Sequence, residues 1–191
     1  NGFATSTYTT IYSVSKPYFA AINQLSDTTF TQSGINTSDV AHTYKIDFYA
    51  NAIFIGSAQR ASSVFLTLLP GDNQMKLNWT QQVPWVNYKF RIWRKIPSSS
   101  VFVLRDSTTS LTYTDLNLVN GATYCYKVEA IGQYSDPSIL RPLINYSQEA
   151  CAKPIDLVAP CAPKLDLISD CQLPSLVLQW NNPNHSCADD V

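Results

Sequence analysis

The stretch TYCYKVEAI, residues 123–131, decides the fold. Every second side chain in it is apolar, and this period of two is typical of a β-strand with one buried face. Turn-forming residues separate it from other short alternating stretches, spaced about 8 to 12 residues apart, as in β-sandwiches. These stretches are residues 64–68, 74–80, 88–95, 101–105, 111–114 and 147–152. Seven such strands predict an all-β fold, an antiparallel sandwich of two sheets.

Two internal repeats indicate the size of the structural unit. LNW at 77–79 recurs as LQW at 178–180, an offset of about 101 residues, and YKID at 44–47 recurs as YKVE at 126–129, an offset of about 82. A period of about 80 to 100 residues fits a whole β-sandwich rather than one unit of a solenoid. The repeats therefore predict the end of a first module (1–63), a complete module (64–157) and the first two strands of a third (158–191).

The complete module resembles a fibronectin type III domain, which is an immunoglobulin-like sandwich. The resemblance rests on Trp79 in the second strand, on LVNG at 118–121 before the sixth strand, and on GQYS at 132–135 after it. It implies that Trp79 packs in the core and that Tyr124 hydrogen-bonds back across the preceding loop. By the repeat, Trp180 is the equivalent core residue of the third module.

A narrower resemblance concerns lineage. VPW at 83–85, SQEAC at 147–151 and CADDV at 187–191 are similar to the tandem modules of large Bacteroidetes surface proteins associated with gliding motility and type IX secretion. This resemblance implies a secreted protein with several repeated modules.

Composition and charge exclude several classes of function. Only 14% of residues are charged, and 13 Lys and Arg against 14 Asp and Glu give a net charge of −1. No basic run is present, so the sequence predicts neither a nucleic-acid partner nor membrane insertion. The Gly-x-Ser-x-Gly, phosphate-binding glycine loop and His-Glu-x-x-His motifs are also missing from the sequence. We therefore predict a protein that is not an enzyme and has no cofactor.

The five cysteines indicate disulfide bonds, because they lack the spacing and the histidine partners of a zinc site. Free buried thiols are the alternative. Cys125 and Cys151 lie on neighbouring strands of the predicted sandwich and should form one bridge. Cys161 and Cys187 lie at the same pole and could form another, which would leave Cys171 without a partner. Disulfides place the chain in an oxidising compartment, outside the cell or at its surface.

These features predict a non-enzymatic, extracellular module of a large protein, acting as a spacer and as an adhesion or recognition segment. Binding of a protein or a surface glycan is expected in the loops at one pole, at Trp85, Asn87 and Tyr134. An exposed tryptophan there could anchor a ligand, and the competing interpretation is a lid over the core. The alternative function is an accessory region of a secreted polysaccharide-degrading or proteolytic enzyme.

The two partial modules are expected to complement each other, since 158–191 supplies the two strands that 1–63 lacks. The chain enters and leaves the complete module at opposite poles, roughly 35 to 40 Å apart by strand length. We therefore expect strand exchange or head-to-tail association between molecules more than within one chain.

Overall fold

The computed structural model describes residues 7–14, 29–139, 141–158, 162–170 and 175–180. Throughout this part of the chain the regular secondary structure is β-strand, and none of it is a helix that could cross a membrane. The strands are β1 (Thr43–Tyr44), β2 (Asp47–Ala50), β3 (Ile53–Ser57), β4 (Ala61–Ser62), β5 (Phe65–Gly71), β6 (Gln74–Thr80), β7 (Val86–Lys95), β8 (Val103–Thr108), β9 (Thr112–Leu116), β10 (Tyr124–Gln133), β11 (Leu143–Tyr146), β12 (Ala150–Ala152), β13 (Leu165–Asp170) and β14 (Ser175–Trp180).

Strands β5 to β12 form two antiparallel sheets, which confirms the all-β sandwich predicted from the alternation. One sheet has the order β5-β6-β9. The other has the order β8-β7-β10, with β11 and β12 both paired to the far side of β10. Of the last predicted strand, 147–152, only β12 is regular strand, and β11 precedes it along the same edge.

Gln148 occupies the break between β11 and β12 and joins the two sheets. Its side-chain amide donates to the carbonyl oxygen of Leu66 at 2.7 Å, and its amide oxygen accepts from the Leu66 backbone N–H at 3.1 Å. One side chain therefore satisfies both backbone groups of a residue on the edge strand β5, where no neighbouring strand supplies them.

The core lies between the two sheets and is centred on Trp79. The Trp79 ring is buried and its centroid lies 5.4 Å from that of Phe90 on the opposite sheet. The remaining buried apolar side chains come from alternate positions of β5, β6, β7 and β10, as the period of two predicts. They include Leu66, Met75, Leu77, Ile92, Tyr126 and Val128. Burying one such side chain stabilises the fold by roughly 1.5 to 3 kcal/mol.

A buried carboxylate ties the sheets together through polar contacts. Asp115 on β9 is fully buried and accepts hydrogen bonds from Arg94 (2.8 Å), Arg105 (2.9 Å) and the Tyr126 hydroxyl (2.9 Å). All three donors belong to the other sheet. A buried charge is tolerated only when it is paired and hydrogen-bonded, so these donors and the carboxylate require one another.

The hairpin β13–β14 stands apart from the sandwich. Its strands pair only with each other among the described strands, so in that part of the chain they do not complete the first module. The core position predicted for Trp180 is corrected accordingly: its side chain is exposed, because no described sheet covers that face of the hairpin.

We expect Asp115→Asn to lower the free energy of unfolding by about 3 to 5 kcal/mol, because it leaves Arg94 and Arg105 without their buried counter-charge. Urea denaturation followed by tryptophan fluorescence measures this loss. Asp39→Asn, an exposed carboxylate, is the matched control and should change stability little. Equal small effects of both substitutions would show that the buried network contributes nothing.

Alkaline pH should destabilise the fold through Tyr126. Burial, with the nearby Asp115 carboxylate, raises the pKa of Tyr126 well above its usual range. Above about pH 10 the unfolded chain loses this proton while the folded protein retains it, so the free energy of unfolding falls as pH rises. Tyr126→Phe should weaken this dependence, whereas Tyr88→Phe, an exposed tyrosine of the same sheet, should not. Identical slopes for all three proteins in denaturation at pH 9 to 11 would contradict this.

Candidate functional site

The three residues predicted to bind at one pole do lie together. The rings of Trp85 and Tyr134 meet edge to face, with centroids 5.8 Å apart. The indole N–H of Trp85 donates to the side-chain oxygen of Asn87 at 3.0 Å. Each of the three is half-buried. The loop before β7 and the end of β10 thus form one packed cluster.

The packing of Trp85 against β10 favours the lid interpretation. A Cβ atom added at Gly132 would lie 2.6 Å from Trp85 Cδ1 and 2.3 Å from Asn87 Oδ1. The pairing of β10 with β7 shifts register between Ile131 and Gly132, which brings Asn87 and Trp85 over this glycine. Because the ring and the N–H of Trp85 are both engaged within the fold, little of the side chain is left for a ligand.

The outward face of β7 and β10 carries a second cluster, which the prediction of binding residues missed. Glu129 is almost fully buried and accepts from the Trp93 indole N–H at 2.9 Å. Arg91 Nη1 (3.4 Å) and the Tyr146 hydroxyl (3.4 Å) also approach its carboxylate. In the sheet, Arg91, Glu129 and Tyr146 form one cross-strand row, with Trp93 and Lys127 paired in the next. The buried carboxylate of Glu129 therefore orients the side chains of Arg91, Trp93 and Tyr146 above it.

Cations lie over aromatic rings on the same face. The ammonium of Lys127 is 5.3 Å from the ring centre of Phe102 and 5.8 Å from that of Tyr146. The ammonium of Lys95 is 5.0 Å from Phe102 and also pairs with Glu149. Contacts of this length are within cation–π range. We call this surface the cationic–aromatic face; it consists of Arg91, Trp93, Lys95, Phe102, Lys127 and Tyr146.

The cationic–aromatic face carries three cations, and two carboxylates lie against them. Arg91 pairs with the buried Glu129 and Lys95 with Glu149, whereas Lys127 lies over the rings of Phe102 and Tyr146. Burial, with the neighbouring Glu129 carboxylate, raises the pKa of Tyr146, so its hydroxyl remains a neutral donor. Tyr146 is about half exposed (52%) and offers a ring face to solvent. The arrangement can bind a ligand that combines apolar ring surface with negative charge.

The predicted disulfide between Cys125 and Cys151 is formed. The two cysteines are directly opposite in the pairing of β10 with β12, with Cα atoms 4.0 Å apart. They and Glu149 are the one cluster of three potential metal ligands in the described ranges, and the disulfide removes both thiols from it. Cys161, Cys171 and Cys187 lie outside the described residues.

Trp79 and Tyr124, for which structural roles were predicted, both lie in the described residues. Trp79 lies in the core described above. The Tyr124 hydroxyl accepts a hydrogen bond from the backbone N–H of Val119 at 3.1 Å, so this side chain spans the loop before β10.

No protein-family model matches the chain, and no curated protein is similar to it. Among solved structures, a pectate lyase of Erwinia chrysanthemi in complex with tetragalacturonic acid is 14% identical, with 47% of this chain and 28% of that chain covered and a TM-score of 0.40. A pectate lyase of Pectobacterium carotovorum is 20% identical, with 55% of this chain and 30% of that chain covered and a TM-score of 0.39. A myokine structure is 16% identical, with 49% of this chain and 96% of that chain covered and a TM-score of 0.39.

The chain thus spans less than a third of the length of these pectate lyases. Similarity at this level does not distinguish one function from another.

We expect Gly132→Ala to destabilise the sandwich by roughly 1 to 3 kcal/mol, because the added methyl group displaces Trp85 and Asn87. Gly56→Ala is the matched control: Gly56 also lies in a strand, and nothing is within 4 Å of its added Cβ. Chemical denaturation of both variants measures the difference. If both tolerate alanine equally, Trp85 is not fixed by close packing on β10.

Proposed function

We propose that this chain is a non-enzymatic, extracellular recognition and spacer segment of a cell-surface protein, built from fibronectin type III-like modules. The three-stranded sheet facing a larger sheet, the buried Trp79 and the Tyr124 hydrogen bond support the module type. The Cys125–Cys151 disulfide supports an oxidising compartment.

The ligand we propose is an acidic polysaccharide, and the observation that carries it is the cationic–aromatic face. Tyr146 and Phe102 offer ring surface on which a sugar ring can stack. Lys127 lies within cation–π distance of both rings, and the side chain of Arg91 is 40% exposed on the same face. Carboxylates along a uronic acid chain would pair with these cations. The face is a sheet surface, so a linear polymer can cross it without a pocket.

This proposal moves recognition away from the pole at which the sequence predicted it. The indole N–H of Trp85 and the side-chain oxygen of Asn87 are hydrogen-bonded to each other. Lys127, Tyr146 and Arg91, by contrast, present charge and ring surface outward. The pole cluster instead packs within the fold, with Trp85 against Gly132 at the far end of β10.

Binding to alginate, a polymer of uronic acids, tests the proposal, with neutral dextran as the comparison ligand. We expect calorimetry or affinity electrophoresis to show binding to alginate alone, weakening as salt rises. Lys127→Ala and Tyr146→Ala should each weaken binding by about tenfold, the effect of about 1.4 kcal/mol. Tyr88→Ala and Tyr134→Ala, which remove tyrosines outside the face, should leave it unchanged.

Two results would contradict the proposal. Equal binding of dextran and alginate would exclude charge recognition. Loss of binding in Tyr134→Ala but not in Tyr146→Ala would return the site to the pole.

A further inference from the structure

The hairpin β13–β14 exposes a face on which five of the six paired positions are apolar, the sixth being Ser169. The register pairs Leu165 with Trp180 and Leu167 with Leu178, and directly opposite residues share a face. Leu176 lies on the same face, two positions from Leu178. These five side chains are each between 51% and 65% exposed. A two-stranded hairpin of this kind is only marginally stable by itself in water, so its apolar face requires a cover.

The hairpin β5–β6 shows what that cover is. There Leu66 pairs with Trp79 and Leu68 with Leu77, which is the same register and the same Leu-x-Leu and Leu-x-Trp pattern. In this copy Leu66, Leu77 and Trp79 are 2% exposed or less, because the sheet containing β10 lies over them. The two hairpins thus carry equivalent apolar faces, one covered and one not.

The surface that covers β5–β6 is repeated as well. In the complete module Cys125 pairs with Cys151 and Tyr126 with Ala150. In the segment 43–62, Thr43 pairs with Ser62 and Tyr44 with Ala61, which is the same register at the position predicted by the YKID repeat. By the repeat, the positions of Tyr126, Val128 and Ala130 correspond there to Tyr44 of β1, Phe48 of β2 and Ile46, which joins the two strands. These three apolar side chains are between 38% and 63% exposed.

The chain therefore carries both halves of a second core, which we call the donor hairpin (165–180) and the acceptor hairpin (43–62). They attach at opposite ends of β5. Next to its start, the Ser62 N–H donates to the Gln82 carbonyl, whereas at its end the Ile155 N–H donates to the Gly71 carbonyl. A strand of seven residues spans about 23 Å, and the two hairpins belong to separate sheets of the described chain.

We propose that the donor hairpin of one molecule docks on the acceptor hairpin of a second copy of this chain, head to tail. The contact reproduces the packing of β5–β6 on β10, with Trp180 in the position of Trp79 against Tyr44 and Ile46. Because the two surfaces differ, the association is heterologous and continues into rings or open chains instead of stopping at a dimer. It is independent of saccharide binding, which uses the outward face of the complete module.

Light scattering of the 191-residue chain over a dilution series tests this directly. The wild-type mass should rise with concentration through multiples of the monomer. Leu167→Asp removes the donor face and Ile46→Asp the acceptor face, so each variant alone should remain monomeric. Leu69→Asp, at an exposed leucine of β5 outside both hairpins, is the matched control and should still associate.

Mixing the two monomeric variants provides the decisive measurement. The Leu167→Asp chain retains an acceptor and the Ile46→Asp chain a donor, so the mixture should form a one-to-one complex and grow no further. The unfolding transition of the complete module should be unchanged in both variants, which verifies that they are folded. A wild-type monomer at all concentrations, association that survives in either variant, or a mixture that forms no complex would each overturn the proposal.

Discussion

The Asp115 carboxylate is the constraint around which the sandwich is arranged. Hydrophobic burial alone would allow the two sheets to slide, because it has no direction, whereas a buried charge requires donors at defined positions. Those donors come from three successive strands of the facing sheet. Arg94 points inward from β7 beyond Phe90 and Ile92 and donates to Asp115 Oδ2, and the irregularity in the β7–β8 pairing brings Arg105 to the other oxygen, Oδ1. The alignment of the sheets follows from this single group.

The inward orientation of Arg94 also determines which residues of β7 face outward. Because alternate residues face opposite ways, the strand that presents Ile92 and Arg94 to the core presents Arg91 and Trp93 to the surface. Glu129, opposite Arg91 on β10, then repeats outside what Asp115 does inside: a shielded carboxylate holds an arginine and an aromatic donor in place. The core and the cationic–aromatic face are therefore two sides of the same pair of strands.

The sequence pattern predicts structure well where it depends on alternation within one strand or on which strands are adjacent. Period-two alternation located the strands of the complete module, and the adjacency of the sixth and last strands was enough for the Cys125–Cys151 bond. The pattern fails where partners are distant in sequence. Trp93 and Glu129 are 36 residues apart, so the hydrogen bond that turns a solvent-facing row into an organised face could not be predicted from either strand alone. Trp180 has the pattern of a core residue, but burial also requires a second sheet.

The Cys125–Cys151 bond has a consequence for how the chain responds to a pulling force. The chain leaves the sandwich through β12, the strand that a pulling force would peel first from its edge. The covalent link joins this strand to β10 in the middle of the sheet, so force passes across the sulfur atoms and the segment between the two cysteines, which are 26 positions apart, remains slack. Up to about 90 Å of chain is thus withheld from extension. These residues include most of β10, the whole of β11, and two members of the cationic–aromatic face, Lys127 and Tyr146. This part of the sheet would therefore keep its structure when the chain is pulled from its two ends.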